Sequence, residues 1–409
     1  MTIVHLTISA RDPVVARDGR PFGENQGQRM RSLPWPLPSV VAGSFRTALV
    51  KAGSGDFSGD IPGKLREILV SGVFPVHDGK MYLPAPSDAV AQPHESGPGI
   101  KALHRTVPYH HEGTCDFPND APLWPVMLPE AAGDFKPAEL PAWWPQDKYA
   151  EWLTSEKLHY AADWLEPGFL GHPTQCTRDH VSLDADRGAA DEGKIFVTSG
   201  LNLTHLPIFQ GNESQGQRSR RWADRNTPIE LTARAVISDA DFAYASQLRI
   251  LHPLGGERRL VHWQSDQNHD RELWACPPPV KEALTAATRV RLVLATPAIF
   301  TRGWRPGWLD DELEGEWHGV RLKLVGVNNG RWKAVSGWSM ARINNQGQLD
   351  RNGKPGPKPV RRMVPAGSVY FFQVTGGSPK TLADNWLQSV SDDEQEQRDG
   401  FGLSVWGTW

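Results

Sequence analysis

Hydrophobic and polar positions alternate in short bursts along this chain, separated by stretches rich in glycine and proline. Ile3-Val4-His5-Leu6-Thr7-Ile8 alternates with a period of two and is β-branched, which predicts a strand. A turn-rich segment, Arg17-Asp18-Gly19-Arg20-Pro21-Phe22-Gly23, follows, and then an extended proline run, Leu33-Pro34-Trp35-Pro36-Leu37-Pro38. Val41, Phe45, Ala48 and Leu49 then fall on one face of a helix predicted over 40–52, N-capped by Ser39 and ended by Gly53. Strand, loop and amphipathic helix make the first half of a βαββαβ unit.

From Pro84 to about Pro173 the periodicity fades, which predicts a long insertion with a short helix near Lys148–Leu158. Strand signals return at 194–198 and 229–237, then at 290–294, 320–327 and 369–374. A helix over 382–390, capped by Thr381, and a last strand within 402–406 close the chain. The expectation is an α+β protein of two units. The first covers 1–212, with the insertion at about 85–173; the second covers 228–409, with a basic loop insertion at 344–365.

Composition narrows the class. A chain of 409 residues has room for two or three domains. It holds no apolar run long enough for a membrane span, and its first residues lack the pattern of a signal peptide. Cys115, Cys176 and Cys276 are odd in number and far apart, which argues for the reducing cytoplasm without a disulfide framework. The net charge of −3 conceals local basic strips. One holds Arg218, Arg220, Arg221 and Arg225; another holds Arg342, Arg351, Lys354, Lys358, Arg361 and Arg362. Such strips on a near-neutral chain suit a component of an assembly that meets an anionic ligand on one face and proteins on others. The 17 tryptophans are about three times ordinary usage. Those flanked by arginine, in Arg302-Gly303-Trp304-Arg305 and Arg331-Trp332-Lys333, are candidates to stack on bases.

Several motifs point to chemistry that the surrounding residues do not support. Residues 188–194 have the spacing of a phosphate-binding P-loop. Ile195, however, stands where a hydroxyl is needed, and Asp191 and Glu192 repel phosphate. His104, His110, His111 and Cys115 cluster without a second group at zinc-ligand spacing, so no metal site is expected. Asp184 and Asp186 beside His180 suggest a metal-dependent nuclease, but Arg178, Arg187 and Gly188 around them look like a turn that meets phosphate. No catalytic residue, metal or cofactor is expected. The stronger signals are glycine loops flanked by cations. These are Leu254-Gly255-Gly256-Glu257-Arg258-Arg259, the Pro365-Ala366-Gly367-Ser368 turn, and the helix start at Ser39 with Gly43 and Arg46 further along it.

Seven segments in order carry a resemblance: RDGRPF (17–22), LPWPLPSVVAGSFRTAL (33–49), DADRGAADEGKIFVTSGL (184–201), LGGERRLV (254–261), ATPAIFTRGWRP (295–306), PAGSVYFF (365–372) and GFGLSVWGTW (400–409). Together they resemble the RAMP superfamily of CRISPR proteins, and within it the Cmr-complex (type III-B) subunit that caps the guide RNA. The resemblance implies two ferredoxin-like (RRM-like) domains whose glycine loops hold the 5′ handle of the crRNA. It implies docking to the large polymerase/cyclase-like subunit and to the first RAMP backbone subunit, a cytoplasmic role in antiviral defence, and no nuclease activity. The RNA-binding residues expected on these grounds are Arg17, Arg20, Ser39, Gly43, Arg46, Gly255, Gly256, Arg258, Arg259, Arg302, Trp304, Arg361, Gly367 and Ser368. Trp35 within the proline run and the 85–173 insertion depart from the family pattern.

Three rivals remain open at this point. A guide-processing endoribonuclease on the same fold would draw on His180, His205 or His252. A protein-only scaffold would present a Trp-rich surface blind to RNA. The equivalent subunit of a type III-A complex belongs to the same class.

Overall fold

The structure, a computed structural model, describes residues 2–17, 30, 32–95, 99–110, 123–165, 167–209, 222–266, 272–343 and 354–409. The chain opens with β1 (Thr2–Ala10), α1 (Pro38–Ala52), α2 (Ile61–Glu67), β2 (Leu69–His77) and β3 (Lys80–Pro84). The next stretch holds β4 (Ala89–Pro93), β5 (Ile100–Arg105), the short β6 (Val107–Pro108) and β7 (Val126–Met127), β8 (Trp143–Pro145), α3 (Gln146–Thr154) and β9 (His159–Ala161). Two hairpins follow, β10 (Gln175–Asp184) with β11 (Ala189–Leu201) and β12 (His205–Phe209) with β13 (Trp222–Pro228). Then come β14 (Glu230–Ile237), β15 (Arg249–Pro253) and β16 (Leu260–Asp266).

α4 (Pro278–Ala283) leads into a second series that begins with β17 (Arg289–Leu294), β18 (Glu314–Trp317) and β19 (Val320–Asn328). Short ribbon strands follow: β20 (Lys333–Val335), β21 (Trp338–Ile343), β22 (Lys354–Pro357) and β23 (Arg361–Met363). The chain ends with β24 (Val369–Gly376), α5 (Lys380–Asp384), β25 (Gln388–Ser389), α6 (Glu394–Arg398) and β26 (Leu403–Thr408).

Two large antiparallel sheets organise these elements. The first runs β15-β16-β1-β14-β2-β3-β8, the second β18-β19-β24-β17-β26-β25. Each has the same four central strands when counted along the chain: fourth, first, third, second. In the first sheet these are β16, β1, β14 and β2; in the second they are β26, β17, β24 and β19. The crossovers are unequal. α1 connects β1 to β2, whereas residues 295–313, between β17 and β18, form turns and isolated bridges with no helix. A 3₁₀ segment, Ala240–Gln247, stands before β15.

Burial is the reason these strands form, with period two in β1 and continuous in central strands such as β17 and β24. Val4, Leu6 and Ile8 of β1 are buried and share the core with Val41, Phe45, Ala48 and Leu49 of α1. α1 begins at Pro38, whose fixed φ suits a first turn, and Leu37 takes the N-cap place expected of Ser39. Its end is set by Gly53. A Cβ there would lie 2.4 Å from the Tyr244 hydroxyl, which donates to the Leu49 carbonyl at 2.8 Å. The helix predicted over 382–390 is shorter, because Gln388–Ser389 pairs with β26 instead.

The 85–173 insertion is a packed layer. β4-β5-β9 form a three-stranded sheet, β8 joins β3 at the edge of the first sheet, and α3 carries the expected short helix. Trp144, Trp152, Trp164, Tyr160 and Phe169 pack on one another in tilted and edge-to-face pairs with ring centroids 5.0–5.9 Å apart. One hydrophobic cluster runs through both sheets and this layer.

Its polar pin is Asp88, wholly buried, which accepts from Arg291 of β17 and, at 3.0 Å, from Trp152 Nε1. Arg105 and Arg291 both donate to the Trp152 carbonyl. Among the described residues no helix is long and apolar enough to cross a membrane.

Candidate nucleic-acid interface

The predicted glycine loop 254–259 is the turn between β15 and β16, closed by the Leu254 N–H on the Arg259 carbonyl at 2.8 Å. Gly255 has φ +77°, and a Cβ there would lie 2.3 Å from the Val15 carbonyl, so only glycine lets segment 14–17 pass this close. That same carbonyl accepts the Gly256 N–H at 2.8 Å. The glycines therefore serve a chain crossing rather than an open cradle of N–H groups. The cations stay outside: Arg258 is exposed at φ +49°, and Arg17 is exposed where it bridges to Ser32.

Ser44 Oγ of α1 donates to the Pro253 carbonyl at 2.7 Å, which fixes the helix against the end of β15. Beside this contact lies a cavity of about 330 Å³. One wall is the first half of α1, with Ser39, Val40, Gly43, Ser44 and Thr47. The second is His252, Pro253 and Gly255; the third, from the second half of the chain, is Ser336, Gly337 and Lys358. The small second hydrophobic cluster, with Leu37, Ile299, Val335, Met363 and Phe401, joins the proline run before α1 to ribbon strands β20 and β23.

The charge at the cavity is positive. The first turn of α1 has no acidic residue and no side-chain cap, so its partial positive end is uncompensated. Burial holds the Lys358 ammonium below the usual lysine range; Asp399 opposes this, and the guanidiniums of Arg361, Arg66 and Arg46 add to it. Burial also holds the His252 imidazole below its ordinary value, with Lys51 adding to the effect. His252 is only 5% exposed and borders the cavity. Outside, Trp332 is 53% exposed with the Arg362 guanidinium 5.1 Å from its ring centre, next to exposed Arg331 and Lys333.

The structure thus brings Ser39, Gly43 and Gly255 together around one cavity; Gly256, Arg258 and Arg259 belong to the same turn as Gly255, and Arg17 follows the Val15 that crosses it. Arg20 lies outside the described residues, as do His111, Cys115, Arg218, Arg220, Arg221 and Arg351. Three expectations need correction. Arg46 is turned inward. It donates to Asp399 Oδ1 (2.5 Å), to the Ile68 carbonyl (2.6 Å) and to the Arg398 carbonyl (3.1 Å), so its charge is spent on joining α1 to α6. Gly367, at φ +85°, is the second place where glycine is required, because a Cβ would lie 2.4 Å from the Ala85 carbonyl. Ser368 is fully buried, with its hydroxyl donating to the Pro365 carbonyl at 2.8 Å. Gly367 and Ser368 are therefore covered, Gly367 by the insertion, while Pro365 and Ala366 stay partly exposed.

Arg361 is half-exposed and paired with the buried Glu396. Arg302 and Arg305 share Asp311, and Trp304 is exposed on the same loop; none of these lines the cavity. The sequence reading also missed Ser336, Gly337 and Lys358 as site residues. Lys358 lay in the basic strip already noted, and that strip was the available signal.

The suspected nuclease carboxylates form a turn. Asp184 Oδ1 accepts the N–H groups of Asp186 (2.9 Å) and Arg187 (3.2 Å) at the tip of the β10–β11 hairpin. His180 stacks on Phe196 at 5.0 Å and contacts Thr198 Oγ1 at 2.8 Å, and His205 contacts Thr204. Among the described residues no three His, Cys, Asp or Glu side chains converge as a metal site.

A family model described as "CRISPR-associated protein (Cas_Cmr3)" matches residues 6–409. No curated protein matches the chain by sequence. Among solved structures, the chain is similar to one in a cryo-EM structure of the type III-B Cmr-beta bound to cognate target RNA. The two are 13% identical with a TM-score of 0.42, over 90% of this chain and 86% of that one. It is also similar to a chain of the Csm3–Csm4 subcomplex of a type III-A interference complex. There the identity is 10% and the TM-score 0.30, over 92% of this chain and 93% of that one.

Proposed function

The chain belongs to the Cas_Cmr3 family of CRISPR-associated proteins, and from that premise we propose that it is the non-catalytic subunit that grips the 5′ handle of the crRNA in a type III-B effector. Both units are read as ferredoxin-like on the strength of the shared fourth-first-third-second strand order; because β14 and β16 complete the first sheet, the units divide between β16 and α4 rather than at the 212–228 boundary expected from the sequence. The observation that carries the proposal is the cavity beside α1, bordered by residues of both halves: Ser39 and Gly43, His252 and Gly255, Ser336 and Lys358. Lys358, Arg258 and Arg17 supply positive charge for phosphates, the hydroxyls of Ser39 and Ser336 supply hydrogen bonds, and Trp332 with Arg362 supplies a stacking surface. Such a site holds single-stranded RNA with little regard to sequence. Docking to the large polymerase/cyclase-like subunit and to the first backbone subunit, in the cytoplasm, is part of the same proposal.

Filter binding of handle RNA by the Arg258→Ala/Lys358→Ala double variant, across a salt series, tests this. Loss of two phosphate contacts weakens binding and flattens the log–log salt slope by about 1.4, at about 0.7 per contact for single strands. Affinity and slope equal to wild type would remove the cavity from the interface. The endoribonuclease reading retains only His252 as a free imidazole next to a cation. Metal-independent cleavage of precursor repeat RNA by the purified chain would favour that reading.

A further inference from the structure

Of the sequence cluster His104, His110, His111, Cys115, the last two lie outside the described residues and the first two have different neighbours. His110 meets the edge of Trp124 at 5.2 Å, while His104 is drawn to a residue far along the chain. β5 and β9 pair so that His104 stands directly opposite His159, with the two Nδ1 atoms 3.4 Å apart. We propose that His104 and His159 form a binding site for a divalent, imidazole-preferring metal ion of the Zn²⁺, Ni²⁺ or Cu²⁺ class.

Three observations support it. The first is distance. A tetrahedral ion with metal–nitrogen bonds of about 2.0–2.1 Å holds two ligand nitrogens roughly 3.3–3.4 Å apart, and the Nδ1 separation is 3.4 Å. The second is tautomer. Gln92 turns its Nε2 toward the Ala132 carbonyl (3.5 Å) and its Oε1 toward His104 Nε2 (3.0 Å). An amide oxygen only accepts, so His104 carries its proton on Nε2; its Nδ1 lone pair, which accepts from His159 Nδ1 here, is the one an ion would take once His159 holds its proton on Nε2. A hydrogen-bonded partner on the remote ring nitrogen is the arrangement that orients metal-binding histidines.

The third is access. His104 is 2% exposed, with Phe135 against its ring at 5.6 Å, whereas His159 is exposed and opens the pair to solvent. Among the described residues the pair supplies two nitrogens, leaving the remaining positions on the ion to water, so the site binds exchangeably rather than as a structural centre. Nothing in this inference depends on RNA binding.

The test uses the full chain, stripped with a chelator and titrated calorimetrically with ZnCl₂ and NiCl₂ at pH 7.5. Wild type is expected to bind one ion per chain with a dissociation constant in the micromolar range. His159→Ala, a surface change, is expected to weaken this at least ten-fold with an unchanged melting temperature, and Gln92→Leu to weaken it about ten-fold. His110→Ala is expected to bind as wild type does. Nitrogen hyperfine splitting from two imidazoles in the Cu²⁺ spectrum of wild type, reduced to one in His159→Ala, identifies the ligands. Undiminished binding in His159→Ala, or a wild-type dissociation constant in the millimolar range, overturns the proposal.

Discussion

An arginine lies over a tryptophan in two regions of this molecule, with opposite consequences. In the insertion, Arg105 sits 4.3 Å from the Trp152 ring centre, and both residues are sealed in the core. On the β20–β23 ribbon, Arg362 sits 5.1 Å from the Trp332 ring centre, and both face solvent. The first pair is committed to the fold, because the guanidinium also donates to the Ser155 and Trp152 carbonyls and to Tyr160 Oη. The second has a free aromatic face and unspent donors, the form in which a cation–π pair is available to a nucleobase. Residue type does not separate core from interface here; burial does.

The contrast can be broken in both regions. The largest effect is expected from Asp88→Ala. It leaves Arg291 buried without its carboxylate and costs about 3–5 kcal/mol in chemical denaturation. RNA affinity per folded molecule stays the same; a variant as stable as wild type would mean that the pin between insertion and second sheet is not under tension. Trp332→Ala should do the reverse, removing about 1–3 kcal/mol of RNA binding through lost stacking while the melting temperature holds. Trp332→Phe should recover most of that loss, which a purely electrostatic ribbon would not require. Arg362→Ala should weaken RNA binding less, with a salt slope flatter by about 0.7 if its contact is to phosphate.

The smallest effect is in pH. Burial lowers the pKa of His104, His172 and His252 below the ordinary 6.5. The unfolded chain therefore takes up protons first as pH falls. Stability is fully present above about pH 6.5 and declines as pH drops from there toward the folded-state values. A melting temperature that rises between pH 7 and pH 5.5 would contradict this.

Much of the strand pattern could be read beforehand, and the reason is burial. β1, β14 and β19 put largely alternate residues into the core, whereas β17 and β24 are mainly apolar runs buried on both faces, and both patterns are visible in the sequence. The hairpin β10–β11 was only half seen. Its exposed Val181, Leu183 and Ile195 give no apolar face to recognise. The insertion was illegible because its core consists of single tryptophans from short, irregular elements, which leave no period.

Ser39 and Gly255, both candidates on sequence grounds, border one cavity. The roles of Arg46, Gly367 and Ser368 were misjudged, because a basic or glycine-rich stretch has the same composition whether it faces solvent or a neighbouring strand. Lys358 became a site residue only through the ribbon that carries it back to α1.

The continuous core has a practical consequence for anyone dissecting the protein. Severing the chain between 212 and 228 would strip Arg291 from Asp88, Asp399 from Arg46 and Phe401 from Leu37, exposing a raw apolar face on each fragment. Neither piece is expected to remain soluble alone, whereas co-expressed fragments should find each other and restore one sharp melting transition.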